Sequence, residues 1–191
     1  MLIQTLIFLI TTMGDLFVLA LLLRFVLQTV RAPARNPLSQ FLAALTDFIV
    51  RPVRRVIPGW WGLDVATLLL AWLAAMVELC IVLMIKGYDL SSVSGLAVAA
   101  LTALAALTLL RLAIYIVMIA VIAQAVLSWV QPYNALSPML GSVTRPFLRP
   151  FQKRIPPLAN FDLSPFFVVI ICQLLLTVPL VWLEATAGRL L

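Results

Sequence analysis

The sequence predicts an all-α membrane protein: four transmembrane helices in two tandem two-helix repeats, each repeat with a short cytoplasmic interfacial amphipathic helix. Three observations predict it. The chain has 191 residues, a mean hydropathy of +1.17 and only 10% charged residues, whereas a soluble domain covers its surface with roughly 25%. Four apolar stretches each exceed the ~20 residues that cross a hydrocarbon core of about 30 Å. The chain also matches itself, without gaps, when slid by 98 positions.

The spans follow in order. The first covers about residues 2–30 and is interrupted by Gly14, Asp15 and Arg24. It is apolar from its start, without a basic n-region, so it reads as a retained span and not as a cleaved leader. The second covers 63–85 and carries Asp64 and Glu78. The third covers 95–130, with Arg111 and Gln124, and the fourth 163–183, with Gln173 and Pro179. The third is long enough for two spans, but no Gly or Pro lies between Gly95 and Pro132 to make a hairpin turn. One tilted helix of about 50 Å, protruding from the bilayer, is expected instead.

Charge orients these spans. The loops at 31–62 and 131–161 hold nine of the 13 basic residues: Arg31, Arg35, Arg51, Arg54, Arg55, Arg145, Arg149, Lys153 and Arg154. Their one acid is Asp47. The positive-inside rule places both loops in the cytoplasm and both termini outside, with the short turn at 86–92 facing out. The net charge of +6 therefore reads as topology before nucleic-acid binding. The absence of histidine removes imidazole bases and His-ligated zinc or haem. Cys80 and Cys172 lie in apolar runs and read as small core hydrophobes.

The repeat divides the chain into units 1–93 and 94–191. At an offset of 98, Asn36, Leu38, Ser39, Leu42, Thr46, Arg51, Pro52, Ile57, Pro58 and Asp64 fall on identical residues, ten in the 32 positions from Asn36 to Thr67. Upstream the offset is 100, which pairs Arg24 with Gln124. Two spans per unit give both copies one orientation, with a pseudo-twofold axis along the membrane normal. Within each basic loop a helix is expected. Asn36 caps the first and Pro37 opens it, with Leu38, Phe41, Leu42, Leu45, Phe48 and Ile49 at helical spacing. Leu136, Met139, Leu140, Val143 and Phe147 repeat the pattern. Such a helix suits the headgroup plane. Pro52 and Pro150 are expected to end the two helices. Asp64 and Asp162 then open the returning spans, where a carboxylate suits the helix dipole.

The stretch "LRFVLQ…RNPLSQFLAALTDFIVRPVRRVIPGWWGLD" and its second copy "LSWVQPYNALSPMLGSVTRPFLRPFQKRIPPLANFDLSP" resemble the YggT family of bacterial membrane proteins. That family is related to the YlmG proteins of Gram-positive bacteria, cyanobacteria and chloroplasts. The resemblance covers nearly the whole chain. Many family members carry an arginine where this chain has Gln124. The resemblance implies a bacterial inner-membrane protein linked to osmotic tolerance and ion homeostasis. It also implies links to division and nucleoid organisation, and to cytochrome assembly in plastids.

Two sets of candidate site residues emerge. Arg51, Arg54, Arg55, Arg149, Lys153 and Arg154 face lipid or a partner from the basic loops. Each cation contributes about 1 kcal/mol near an anionic surface. Arg24, Asp64, Glu78, Arg111, Gln124 and Asp162 make polar contacts at or within the spans, where an unpaired charge costs about 2.5–3.5 kcal/mol on insertion scales. Helical rise sets their depths and pairs Arg24 with Asp64, Gln124 with Asp162 and Glu78 with Arg111. A structural clasp between units and part of an ion or proton route are the two readings of the last pair. Trp60, Trp61 and Trp129 read as an interfacial belt, and Gln28, Gln124 and Gln173 as bridges between helices.

Three functions are then in play. A structural, assembly or partner-docking factor, linked to envelope, division or osmotic homeostasis, is favoured. A small oligomeric channel or transporter component supporting ion homeostasis is the alternative. A membrane enzyme is disfavoured, because no nucleophile–base spacing or metal cluster is present. No cofactor or metal is expected. The expected partners are anionic lipid headgroups, with a membrane or cytoplasmic protein and a second copy of the chain as further candidates. Nucleic acid is disfavoured, because lipid is the nearest phosphate.

Overall fold

The structure is a computed structural model that describes residues 1–32, 36–57, 59, 63–88, 95–130, 136–154 and 162–190, with Trp129 and Val130 described by backbone only. Trp60, Trp61, the side chain of Trp129, Arg35, Pro58, Asn134, residues 155–157 and most of the turn at 86–92 lie outside the described residues. Among the described residues seven helices follow one another: α1 Leu2–Thr29, α2 Pro37–Val56, α3 Val65–Ile85, α4 Gly95–Val130, α5 Ser137–Gln152, α6 Ser164–Thr177 and α7 Pro179–Gly188. There is no strand among the described residues. Four segments are long and apolar enough to cross a membrane: α1, α3, α4, and α6 with α7 together. The chain is a multi-pass membrane protein.

The local chemistry explains the boundaries. Asn36 caps α2, its side chain accepting the Ser39 N–H at 2.7 Å, and Pro37 occupies the first turn. Asp64 caps α3 by accepting the Thr67 N–H at 3.3 Å. α1 ends in a Schellman pattern: the Arg31 N–H bonds the Gln28 carbonyl (3.0 Å) and the Ala32 N–H bonds the Leu27 carbonyl (2.9 Å). Arg31 takes the left-handed φ of 51° that glycine usually supplies there. α3 ends the same way with Gly87 at φ 87°.

Two sequence expectations about proline fail. α2 continues through Pro52 to Val56, and α5 runs through Pro146 and Pro150 to Gln152. Proline deletes one donor and crowds the preceding carbonyl, but Val50 and Val53, on either side of Pro52, pack into one cluster with α1 and α3. That packing holds the turn after Pro52 in place. The last span, expected over 163–183, runs on to Gly188. The chain breaks at Val178, and Pro179 starts α7 from its first turn, a position where its missing N–H is not needed.

α1 packs along α3 and α4 along α6 and α7, so each unit is a helical hairpin with its amphipathic helix laid across the base. The units meet in a cluster holding Ala20, Leu38 and Leu42 together with Ala120, Leu136 and Leu140. These are three repeat pairs, so the two hairpins touch through equivalent residues. A second contact is one-sided. α3 packs on α4, where Trp72 Nε1 donates to the Thr102 carbonyl at 3.3 Å. α6 has no matching contact of that extent with α1. Both cysteines are free, and Cys172 packs with Val121, Leu148 and Val168.

Candidate functional site

The polar residues gather where each amphipathic helix meets its hairpin. In the first unit Arg24 is 9% exposed. Its Nη1 lies 2.8 Å from Asp47 Oδ1 and donates to Thr46 Oγ1 at 2.6 Å. Thr46 in turn donates to the Leu42 carbonyl at 2.5 Å. Arg51, on the exposed side, bonds the other Asp47 oxygen at 2.6 Å. Burial pushes the Asp47 carboxyl up, but the Arg24 hydrogen bond and charge, with Arg51, outweigh it and hold Asp47 below the usual carboxylate range. One turn further on, Arg54 is ion-paired with Asp64 and donates to Gln28 Oε1 at 3.0 Å. Burial also raises Asp64, and hydrogen bonds from Arg54 and Thr67 then bring it below the usual range.

The second unit repeats this clasp with different residues. The Thr144 hydroxyl bonds the Gln124 amide and the Leu140 carbonyl (2.9 Å), as Thr46 bonds Arg24 and Leu42. Gln152 Nε2 donates to Asp162 at 2.8 Å, as Arg54 does to Asp64. Burial raises Asp162, but contacts from Ser164 and the Gln152 amide leave it below the usual range.

These contacts correct three pairings expected from depth alone. Arg24 pairs with Asp47, not with Asp64. Gln124 pairs with Thr144, not with Asp162. Arg111 pairs with Glu184 in α7, not with Glu78. Glu78 packs against Gly14, and its Oε2 is buried with no hydrogen-bond partner among the described residues. Asp15 lies exposed on α1, in electrostatic range of both Glu78 and Arg111. Gln28 bridges α1 to α2, but the exposed Gln173 side chain bridges nothing among the described residues.

Of the six loop cations, Arg51, Arg55, Arg149, Lys153 and Arg154 are exposed. Arg54 is half-buried and its guanidinium is held by Asp64, the carboxylate at the start of α3. Reasoning on the sequence overlooked Glu184, which lies one residue beyond the expected end of the fourth span. It also overlooked Thr46 and Thr144 as clasp members, although their identity across the repeat is the signal that marks them.

The profile of the CCB3/YggT family matches residues 3–85 and 103–183. The matched segments start 100 positions apart (3 and 103) and end 98 apart (85 and 183), the two offsets of the internal repeat. An uncharacterized protein of Pseudomonas aeruginosa is 38% identical over 171 residues, covering 88% of this chain and 85% of that one. The uncharacterized protein YggT of Escherichia coli strain K12 is 29% identical over 190 residues, covering 98% and 96%. An uncharacterized protein of Haemophilus influenzae is 31% identical over 158 residues, covering 82% and 81%. No solved structure matches. With a profile that spans both hairpins and relatives aligned along most of its length, the chain belongs to the CCB3/YggT family.

Proposed function

We propose that the protein is a non-enzymatic assembly factor of the bacterial inner membrane, whose two cytoplasmic elbows organise anionic lipid and dock a protein partner. One observation carries this reading. α2 is apolar on two sides: Leu42 and Val50 pack inward, while Phe41 and Phe48 are 62% and 70% exposed. The exposed ring pair stands beside the exposed Arg51 and Arg55. An outward apolar stripe edged by cations suits a headgroup plane or a partner's acidic, apolar surface. The clasps fix this helix to its hairpin, so the stripe is presented rigidly. Pull-down of the full chain in mild detergent tests the idea. Partners should co-purify and be lost when Arg51 and Arg55 are made neutral. If that change alters only expression or orientation, docking is not the function.

The conduit reading has its own support in the pairing of a carboxylate oxygen without a partner on Glu78 with an exposed Asp15 on a span. Intramembrane acids of this kind often mark ion or proton paths. It requires flux through reconstituted vesicles that changes in Glu78→Gln or Arg111→Gln. Absence of flux in the wild-type protein favours the assembly factor.

A further inference from the structure

The two clasps differ at Arg24 and Gln124, at Asp47 and Arg145, and at Arg54 and Gln152, and the second of these differences reverses a charge. In the first unit Arg24 and Asp47 are ion-paired between α1 and α2, and the cavity beside Arg24 and Ala43 is the smaller one, about 220 Å³. In the second unit the equivalent residues are Gln124 and Arg145. The cation's position has become neutral and the anion's position cationic. Gln124 is shorter than arginine, and Gly141 stands where the first unit has Ala43. A cavity of about 350 Å³ lies there, lined in part by Gln124, Gly141, Ser142, Arg145 and Gln152.

Among the described residues no carboxylate lines this cavity, and its polar groups include a guanidinium and two side-chain amides. Whichever way the Gln124 amide is turned onto Thr144, at least one N–H is left over. Gln152 Nε2 uses one N–H on Asp162 and keeps the other. The Ser142 hydroxyl is committed to the Pro138 carbonyl at 2.8 Å. The exposed Arg145 guanidinium has no carboxylate or carbonyl partner among the described residues. A guanidinium with leftover amide N–H groups matches the charge and fork geometry of an oxyanion.

We propose that this cavity binds the phosphate of an anionic phospholipid headgroup, in the place that the Asp47 carboxylate holds in the first unit. The lipid as the source rests on the reading of α5 as interfacial. The oxyanion site does not, and inorganic phosphate tests it separately.

The experiment is native mass spectrometry of the full chain in a non-ionic detergent. The probes are a short-chain phosphatidylglycerol, a short-chain phosphatidylcholine and inorganic phosphate. Phosphatidylglycerol should be retained in preference to phosphatidylcholine. Arg145→Gln should weaken it about tenfold, the usual effect of losing a charge-assisted hydrogen bond. The double variant Gln124→Arg with Arg145→Asp copies the first unit's ion pair into the second and should weaken it at least as much. Arg145 is exposed and has no ion pair among the described residues, so the single variant is a sound readout even if the double one misfolds. Lys86→Gln, an exposed cation of the turn after α3, should leave binding unchanged. Binding of inorganic phosphate that disappears in the Arg145 variants supports the cavity and assigns it the free anion. The proposal is overturned if Lys86→Gln weakens phosphatidylglycerol as much as Arg145→Gln, or if neither probe anion is retained by the wild-type chain.

Discussion

Arg24 sits in a pocket where removal of its charge leaves Asp47 with Arg51 alone. With Arg24→Gln alone, Asp47 loses one of its two guanidinium partners, a charge-assisted contact worth about 1.5–3 kcal/mol. Adding Asp47→Arg recreates the residues of the second unit and should recover most of that loss. Denaturation in detergent, comparing the single and double variants, reads this directly. The carboxylates of both clasps also set an acid limit. Asp47, Asp64 and Asp162 are all held below their usual range. Each therefore stabilises the fold above the unfolded carboxylate pKa of about 3.9 and stops doing so as pH falls through its lower folded value. The melting midpoint should fall below about pH 4, less steeply in Asp64→Asn. Arg31 offers the opposite sign. Its φ of 51° costs a non-glycine residue about 1 kcal/mol, so Arg31→Gly should raise the midpoint.

Between α1 and α3 the contact depends on the one residue that leaves room for a carboxylate. A Cβ built on Gly14 overlaps the carboxyl end of Glu78. Gly14→Val should separate the two helices and lower stability by about 1–3 kcal/mol, the range for overpacked cores. Glu78→Ala in the same chain should restore it, which thermal unfolding of the two variants checks. The spans themselves were legible, because a run of some twenty apolar residues has few other uses. α2 was legible too, since its alternation of polar and apolar positions carries a direction. The ion pairs were not. Helical rise gives a residue's height, and height alone matches Arg24 to Asp64. Spans that are apolar on every side carry no signal for rotation, and rotation decides that Arg24 meets Asp47 while Asp64 meets Arg54. The Arg111 partner was missed for another reason. The fourth span is expected to end at 183, whereas the helix restarts at Pro179 and carries Glu184 into reach.

For the molecule as a whole, the junction of the two hairpins governs how changes combine. Ala20 and Ala120 are 6% and 7% exposed within one cluster. Ala20→Leu and Ala120→Leu each insert bulk into the same volume. Their stability losses should therefore not add, in contrast to changes at two distant sites. A double-mutant cycle in detergent measures the difference. The same junction explains where the two halves of the chain have drifted apart. Residues that meet their own counterparts on the dyad are constrained twice, since a change in one half must be accepted by the other. The clasps stand off that line and answer only to their own hairpin, so one could exchange a buried ion pair for an open, cationic niche without disturbing its twin.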